Sequence, residues 1–366
     1  MAQTGPAPAA ARRRTRFHPL RVRTVERLCD DAVAVTFEVP GELAGEYAFA
    51  PGQSVTVRRD LGGREERRSY SICAAAGEPL RIGVREVPGG LFSGWMVREV
   101  RPGDLIEVSG PAGTFTPAPG SDRAGHHVFV AAGSGITPVL SIAASVLRHP
   151  AVTATVLYGN RRASTVMFAD ELAELKDRYP ARLELVHVLS REPREAELFS
   201  GRLDAARLTA LLRLLPDPRE VDHWWLCGPY AMVAGAQDVL ARHGVPAERV
   251  HRELFFVEAS PPAPARHTEP AIEGPGSQVT LVLDGRSTTV VLPRDTTVLE
   301  GAQRFRPDLP FACKGGVCGT CRARILDGEV DMRRNFALEP SEVAAGYVLT
   351  CQSFPVSDQL TADYDA

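Results

Sequence analysis

The sequence lacks the features that mark membrane, nucleic-acid-binding and disordered proteins. It has no run of about 18 apolar residues, so no segment is long enough to span a bilayer. Neither sign of charge dominates: 42 basic and 45 acidic side chains give a formal charge of −3, which provides no broad basic surface for nucleic acid. The apolar fraction of 44% is ordinary for a globular chain. We therefore expect a folded protein with neither a membrane nor a nucleic-acid partner.

We also expect no secretory signal. Residues 1–15 are rich in Ala, Pro and Arg, but no apolar segment follows the three arginines at 12–14, so we interpret this stretch as a disordered tail. The seven cysteines are an odd number, which favours the reducing cytoplasm over a disulfide framework. Four of them fall in the last quarter of the chain: Cys313, Cys318, Cys321 and Cys351. Clustered thiols in the cytoplasm indicate a metal cofactor.

The 366 residues suggest two or three domains, and the hydrophobic pattern changes along the chain. Short alternating runs separated by Gly and Pro predict an antiparallel β-barrel over residues 16–115. They are Val33–Val39, Ser54–Val57, Ser69–Cys73 and Leu80–Val84. Apolar strands then alternate with helical stretches, which predicts an α/β domain with a parallel sheet over residues 116–257.

The last third of the chain begins with a proline-rich segment. Residues 258–275 contain five prolines and one large aliphatic residue, so we interpret them as a semi-extended linker. Two strand-like runs flank the Asp284-Gly285 pair that follows, which predicts a β-hairpin. Residues 276–366 therefore form a third, α+β domain.

The clustered cysteines have a specific spacing. Cys313, Cys318 and Cys321 follow a C-x4-C-x2-C pattern, and Cys351 lies 30 positions further on, which is the spacing of plant-type 2Fe-2S sites. Three glycines in the loop would let it wrap tightly around a cluster. Zinc is the alternative, but zinc ligands more often occur as paired C-x2-C knuckles. We predict a 2Fe-2S cluster held by these four thiolates.

Two segments of the barrel region could bind a pyrophosphate. Arg68 and Tyr70 provide a guanidinium fork and a hydroxyl on one predicted strand, with Ser71 next to them. About 20 residues later, Gly90 and Ser93 stand where backbone N–H groups could open a helix onto the same anion. Taken alone, Arg68 and Tyr70 would be interpreted as part of a solvated strand face, and the glycines near 90 as a turn. Together they predict an anion site.

A dinucleotide site is predicted in the α/β region. Gly133, Gly135 and Thr137 lie between an apolar strand and a helix, where a pyrophosphate meets a helix N-terminus. Ser190 and Arg191 follow a later strand, and a hydroxyl with a guanidinium suits the 2′-phosphate of NADPH. Acidic residues at 192 and 195 and arginines at 161 and 162 leave this preference open, since an acid suits NADH and further arginines suit NADPH.

These segments resemble known families. Residues 310–322 and 345–352 resemble plant-type ferredoxins, which implies a β-grasp fold and a one-electron carrier. The barrel and α/β motifs resemble the ferredoxin-NADP reductase superfamily, which implies FAD, although some relatives with a C-terminal ferredoxin carry FMN. The resemblance implies that Arg68 and Tyr70 hold the flavin phosphates and ribityl chain, and that Ser71 faces flavin N5.

The same resemblance extends to the end of the α/β region. It implies that Cys227 and Glu253 approach the nicotinamide and act with Ser71 as the catalytic group. It also implies that an aromatic residue, Phe255 or Phe256, covers the flavin. The protein would then pass electrons from NADPH through FAD and 2Fe-2S.

The order of domains and the C-terminal segments 327–332 and 335–349 resemble reductase components of multicomponent oxygenases. The implied partner is a di-iron oxygenase that acts on an aromatic CoA thioester. Reductases of Rieske-type oxygenases, including steroid hydroxylases, have the same modules and are the alternative. A redox sensor without enzymatic activity is a further alternative from another class.

Overall fold

The computed structural model describes residues 16–60, 65–118, 120, 123–256 and 276–366. The predicted tail at 1–15 and the predicted linker at 258–275 lie outside these residues. The chain divides into two units, one of residues 17–258 and one containing residues 259–366. In the described ranges, no helix is both long and apolar enough to cross a membrane.

The first part of the larger unit is an antiparallel sheet of six strands. Its strand order is β4-β3-β6-β1-β2-β5, and a bridge between Ile72 and Ile82 links the two outer strands. The predicted antiparallel barrel is confirmed. The strands are β1 (Phe17–Cys29), β2 (Ala32–Glu38), β3 (Ser54–Asp60), β4 (Glu65–Ser71), β5 (Arg81–Arg85) and β6 (Leu105–Ser109), and helix α1 (Leu91–Arg98) follows β5.

The sequence pattern missed the longest of these strands. Only two of the thirteen residues of β1, Leu20 and Val22, are buried, and most of the others are exposed or half-exposed polar residues. The pairing of β1 with both β2 and β6, and not its own hydrophobicity, makes it a strand. The barrel core forms where Val22 packs with inward residues of β2 and β5 such as Val35 and Ile82.

The second part of the larger unit is a parallel sheet of five strands in the order β11-β10-β7-β8-β9, as the sequence predicted. The strands are β7 (Ala124–Ala132), β8 (Ala151–Asn160), β9 (Leu183–Leu189), β10 (His223–Pro229) and β11 (Val250–Phe256). The helices are α2 (Ile136–Val146), α3 (Ala169–Arg178), α4 (Ala205–Leu211) and α5 (Tyr230–Arg242). All five strands are parallel, so their carboxyl ends share one edge of the sheet.

Direct hydrogen bonds fix the barrel against the nucleotide sheet. The Ser141 hydroxyl of α2 donates to the Ala74 carbonyl at 2.6 Å and accepts from the Gly52 N–H at 3.2 Å. Arg148 reaches back from the end of the same helix to the Ala76 carbonyl at 2.7 Å. These contacts hold the segment that follows β4 against helix α2.

The smaller unit contains a mixed sheet in the order β13-β12-β18-β14-β16 and a two-stranded sheet of β15 and β17. The predicted hairpin is present, with Asp284 and Gly285 between its strands at positive φ. The strands are β12 (Ser277–Leu283), β13 (Arg286–Leu292), β14 (Arg322–Asp327), β15 (Val330–Met332), β16 (Tyr347–Leu349), β17 (Ser353–Pro355) and β18 (Gln359–Asp363). The helices are α6 (Val298–Ala302) and α7 (Pro340–Ala344). The predicted α+β class is confirmed.

Candidate functional site

Three side chains predicted as catalytic meet at the carboxyl edge of the parallel sheet. The Ser71 hydroxyl, at the end of β4, donates to Glu253 Oε2 on β11 at 3.0 Å. Cys227 on the adjacent strand β10 is in register with Glu253. Paired residues of neighbouring strands point to the same face, so the thiol and the carboxyl group share one face. The structure thus brings together residues up to 182 positions apart.

Burial changes the acidity of two of these groups. It raises the pKa of Glu253 from 4.5 to about 7, while the hydrogen bond from Ser71 acts in the opposite direction. Burial, and then the nearby Glu253 carboxylate, raises the pKa of Cys227 well above its ordinary value. Near neutral pH the site therefore contains a neutral thiol and a carboxyl group that can take up or release a proton.

Arg68 and Tyr70 lie together beside helix α1. The Tyr70 and Phe92 rings are 6.3 Å apart, and the Arg68 guanidinium stands 5.9 Å from the Phe92 centroid. Arg68 also pairs with Glu66 at 2.8 Å, so part of its charge is already compensated. The cation, phenol and aromatic ring still fit a flavin diphosphate and its ribityl chain.

Gly90 and Ser93 shape the start of helix α1. Gly90 is the residue immediately before the helix, and the Ser93 hydroxyl accepts from the Val87 N–H at 3.0 Å. A Cβ atom at Gly90 would stand 2.7 Å from Ser93 Oγ, so the turn is closed too tightly for a side chain. In this structure Ser93 stabilises the loop that presents the helix N-terminus.

The loop between β7 and α2 packs directly against Cys227. A Cβ atom at Gly135 would lie 2.1 Å from the Cys227 carbonyl oxygen, so only glycine fits there. The Tyr158 hydroxyl donates to the Gly133 carbonyl and the Thr137 hydroxyl to the Ser134 carbonyl, both at 2.9 Å. With the carbonyls held from behind, the loop can turn its N–H groups towards an anion at the start of α2.

Ser190 and Arg191 lie at the neighbouring strand ends. Their backbone N–H groups donate to the carbonyls of Asn160 and Arg161, at 2.9 and 2.8 Å. Arg191 is exposed, while the carboxylate of Glu192 accepts from the Ala163 N–H at 2.9 Å. Glu192, one of the two acidic residues that left the nucleotide preference open, is therefore hydrogen bonded to backbone, and Arg191 is exposed to solvent.

The four clustered cysteines lie as two neighbouring pairs, Cys318 beside Cys313 and Cys321 beside Cys351. The Gly315 N–H donates to Cys313 Sγ at 3.3 Å, and these contacts lower the pKa of Cys313. Within the described ranges, no three Cys, His, Asp or Glu side chains are arranged as ligands of a single metal ion.

The surroundings of these thiols fit a cluster of two irons. Cys321 and Cys351 are buried, and Cys313 and Cys318 are partly exposed. The intervening loop turns at Gly316, which has a φ of +81° that favours glycine. Backbone N–H groups aimed at the sulfurs and one solvent-facing side are what a 2Fe-2S electron carrier requires.

The sequence reasoning missed two residues of the nucleotide region. Arg85 ends the strand β5, and its Nη1 would lie 3.2 Å from a Cβ atom at Gly133. Tyr158 is fully buried and holds Gly133 from behind. A charged residue at the end of an apolar strand was a signal for Arg85, but no sequence pattern indicated its contact with a loop about 50 residues away. Phe255 packs against the sheet core, and the side chain of Phe256 lies outside the described residues.

Three family matches cover these regions. Residues 19–116 match the oxidoreductase FAD-binding domain, and residues 129–238 match the oxidoreductase NAD-binding domain. Residues 281–356 match the 2Fe-2S iron-sulfur cluster binding domain. The predicted FAD, nicotinamide nucleotide and 2Fe-2S cofactors are confirmed, and FMN and zinc are not supported.

Curated relatives match nearly the whole chain. The chain is 41% identical over 356 residues to a subunit of 1,2-phenylacetyl-CoA epoxidase from Escherichia coli (strain K12), covering 96% of this chain and 99% of that protein. The chain belongs to the same family of reductases as this epoxidase subunit. The reductase is also 32% identical to the ferredoxin reductase component of 3-ketosteroid-9-alpha-monooxygenase from Rhodococcus rhodochrous, over 94% of this chain and 96% of that protein.

A solved structure supports the same fold. Phthalate dioxygenase reductase, described as a modular structure for electron transfer from pyridine nucleotides to 2Fe-2S, aligns with a TM-score of 0.62. The alignment covers 95% of this chain and 98% of that one at 24% identity. The fold is therefore shared, and the three family matches with the epoxidase relative make the protein an NAD(P)H-dependent flavin oxidoreductase with a C-terminal ferredoxin domain.

Proposed function

We propose that this reductase is the electron-delivering component of an oxygenase, using NADPH as its reductant. The observation that carries the proposal is the 41% identity over 96% of the chain to a subunit of an epoxidase. FAD, when bound, lets a two-electron hydride donor supply a one-electron carrier, and the 2Fe-2S cluster passes on single electrons. The flavin unit and the ferredoxin unit then have separate tasks in one electron path.

The residues around Glu253 would handle the proton. A hydride that is exported as two single electrons leaves one proton, and Glu253 can accept it near neutral pH because its pKa is about 7. Ser71 is hydrogen bonded to that carboxyl group and would connect it to the flavin. We assign proton transfer to Ser71 and Glu253, and we assign to Cys227 the task of positioning the nicotinamide.

Cys227 is suited to a positioning task. Its thiol is fully buried and stays protonated, so it adds no charge beside a hydride donor. The loop at Gly135 contacts the Cys227 backbone, which links the nucleotide loop to the catalytic group. Hydride transfer requires close approach and correct orientation more than acid or base strength.

The preference for NADPH rests on Arg191. Its exposed guanidinium and the adjacent Ser190 hydroxyl suit a 2′-phosphate, which only NADPH carries. The contact of Glu192 with the Ala163 backbone removes one competing acid from this position. NADH remains the alternative substrate.

The favoured acceptor is a cytoplasmic di-iron oxygenase. The name of the epoxidase relative supports an aromatic CoA thioester as the substrate of that oxygenase. The steroid monooxygenase relatives favour a Rieske-type oxygenase as the second candidate. Purified reductase with NADPH should be assayed against both kinds of oxygenase. Faster product formation with the di-iron enzyme supports the first candidate, and faster turnover with the Rieske enzyme favours the second.

A truncated chain tests the electron path. A variant ending at residue 258 keeps Ser71 and Glu253 but loses all four cluster cysteines. We expect it to oxidise NADPH with ferricyanide, which can accept electrons directly from flavin, and to fail with the oxygenase. A truncated chain that drives the oxygenase at the full-length rate would exclude the cluster from the path. If the cofactor-replete full chain does not oxidise NADPH, a sensor is favoured instead.

A further inference from the structure

One carboxylate of the barrel joins two arginines beside the nucleotide loop. Asp31, between β1 and β2, accepts from Arg85 Nε at 3.1 Å through one oxygen and from Arg161 Nη2 at 3.1 Å through the other. Arg85 belongs to the barrel, and Arg161 follows the strand β8 of the nucleotide domain. Asp31 therefore connects the two domains through a pair of cations.

The guanidinium of Arg85 is held in a defined orientation. Its Nε contacts Asp31, and its Nη2 donates to the Thr165 carbonyl. The remaining nitrogen, Nη1, makes no hydrogen bond in the described part of the chain and faces Gly133, 3.2 Å from the Cβ position of that residue. Two of the three guanidinium nitrogens, Nε and Nη2, thus have protein acceptors, and Nη1 faces the loop to which we assign the pyrophosphate.

Arg161 extends this arrangement towards Arg191. The Arg161 carbonyl accepts from the Arg191 N–H at 2.8 Å, so the two arginines lie at adjacent strand ends. Half of the Arg161 side chain is exposed, whereas Arg85 is 14% exposed. The Asp31 carboxylate thereby binds both Arg85, at the Gly133 loop, and Arg161, which lies near the residues assigned to the 2′-phosphate.

We propose that Asp31 is a positioning residue of the nucleotide site, which sets Arg85 and Arg161 as two cations for the phosphates of the dinucleotide. Arg85 would contact the pyrophosphate at the start of α2, and Arg161 would strengthen the site near Ser190 and Arg191. Asp31 does not touch the nucleotide itself. It acts by restricting two flexible side chains, so less conformational entropy is lost when phosphate binds.

The test is a titration of the oxidised full-length protein with NADP+, in parallel with NAD+. Asp31→Ala should weaken NADP+ binding about tenfold, the size expected for misplacing one charged hydrogen bond. Asp31→Asn should recover part of the loss, because its carboxamide oxygen can still accept from Arg85 Nε. Asp30→Asn removes the same charge from the same turn and should leave the affinity unchanged.

Two outcomes would overturn the role proposed for Asp31. Unchanged or tighter NADP+ binding by Asp31→Ala would overturn the proposal, because Asp31 would then be a bystander or a counter-ion that competes with phosphate. In the steady state, KM for NADPH should rise while kcat stays near that of the parent. An equal fall of kcat would indicate a general structural defect and would also overturn it.

A double-mutant cycle covers the case in which Asp31→Ala folds poorly. Arg85→Gln should weaken NADP+ and NAD+ alike, whereas Arg161→Gln should weaken NADP+ more, which separates the pyrophosphate from the 2′-phosphate. Adding Asp31→Asn to Arg85→Gln should cost less than Asp31→Asn costs alone. Additive losses would show that Asp31 does not act through Arg85.

This inference rests on the dinucleotide site of the proposed function, and the two can fail separately. A parent protein that binds neither NADP+ nor NAD+ would overturn the nucleotide site together with the role of Asp31. A parent that binds both, with no effect of the Asp31 variants, would overturn only the role of Asp31.

Discussion

The flavin and nucleotide unit buries its reactive groups, whereas the ferredoxin unit leaves part of its thiol site exposed. Ser71 and Cys227 are 3% and 0% exposed, but Cys313 and Cys318 are partly open to solvent. Hydride transfer needs contact between two ring systems with water excluded, so burial suits it. A single electron needs only proximity, so a cluster near a surface can serve a protein acceptor. The two regions match the two kinds of transfer.

The largest expected effect is loss of the cluster from the ferredoxin unit while the flavin unit stays active. Cys318→Ser should abolish the cluster, so iron and acid-labile sulfide fall from about two per chain to near zero. Flavin content and NADPH-driven reduction of ferricyanide should remain. Cys29→Ser, which alters a cysteine of the other unit, should keep the cluster absorbance. Loss of flavin from Cys318→Ser would contradict the independence of the two sites.

The next effect concerns Glu253, the residue of the larger unit to which we assign proton transfer. Glu253→Gln should slow turnover with ferricyanide by about 100-fold, the lower end of the range for acid–base groups. The parent should show a break in its pH–rate profile near pH 7, and the variant should lose it, because the pKa of Glu253 is about 7. A break that persists in the variant would assign the titration to another group.

The same carboxyl group affects stability in a predictable direction. Its pKa is raised from 4.5 to about 7 in the folded protein, so the folded state binds the proton more tightly than the unfolded chain. The resulting stability is present below pH 4.5 and is lost as the pH rises to about 7. We therefore compare the free energy of unfolding of Glu253→Gln with that of the parent. The difference should shift in favour of the variant by up to about 3 kcal/mol between pH 4.5 and pH 8. A constant difference across this range would contradict the raised pKa.

A smaller and selective effect concerns the nucleotide. Arg191→Ala should weaken NADPH about tenfold and NADH little, because it removes a charged contact with a group that only NADPH carries. Kinetic constants with both nucleotides measure this ratio. Arg213→Ala, at a helical position outside the strand ends, is a matched control with no expected change. Equal losses for NADPH and NADH would remove Arg191 from the 2′-phosphate site.

The smallest effect concerns the loop between β7 and α2, to which we assign the pyrophosphate. Tyr158→Phe deletes only the hydroxyl that holds the Gly133 carbonyl, so KM for NADPH should rise about fivefold with kcat nearly unchanged, in line with one neutral hydrogen bond. Tyr179→Phe, whose ring lies at the end of α3, is the matched control. No change in KM would mean that the loop keeps its shape without Tyr158.

Sequence predicted the two regions unequally, and the reason is distance along the chain. Cys313, Cys318 and Cys321 lie within nine residues, so their spacing alone predicted the 2Fe-2S site. Ser71 and Glu253 lie 182 positions apart in the larger unit, and only the family resemblance suggested that they act together. Their 3.0 Å hydrogen bond depends on how the barrel packs on the parallel sheet.

Secondary structure followed the same rule. The run Leu80–Val84 predicted strand β5 (Arg81–Arg85) to within one residue at each end, because apolar residues alternate along it. Strand β1 was missed because its pairing with two neighbours, and not its composition, makes it a strand. Asp31 was likewise invisible as a site residue, because its partners Arg85 and Arg161 are 54 and 130 positions away.

The most direct test of the electron path is rapid anaerobic mixing of the full-length protein with NADPH while flavin and cluster absorbance are followed separately. We predict that flavin bleaches first, at the same rate in the parent and in Cys318→Ser, and that cluster bleaching in the parent follows it. Protein stripped of flavin but retaining its cluster should show no bleaching. Cluster reduction that precedes flavin reduction, or that occurs without flavin, would contradict the path from NADPH through FAD to 2Fe-2S.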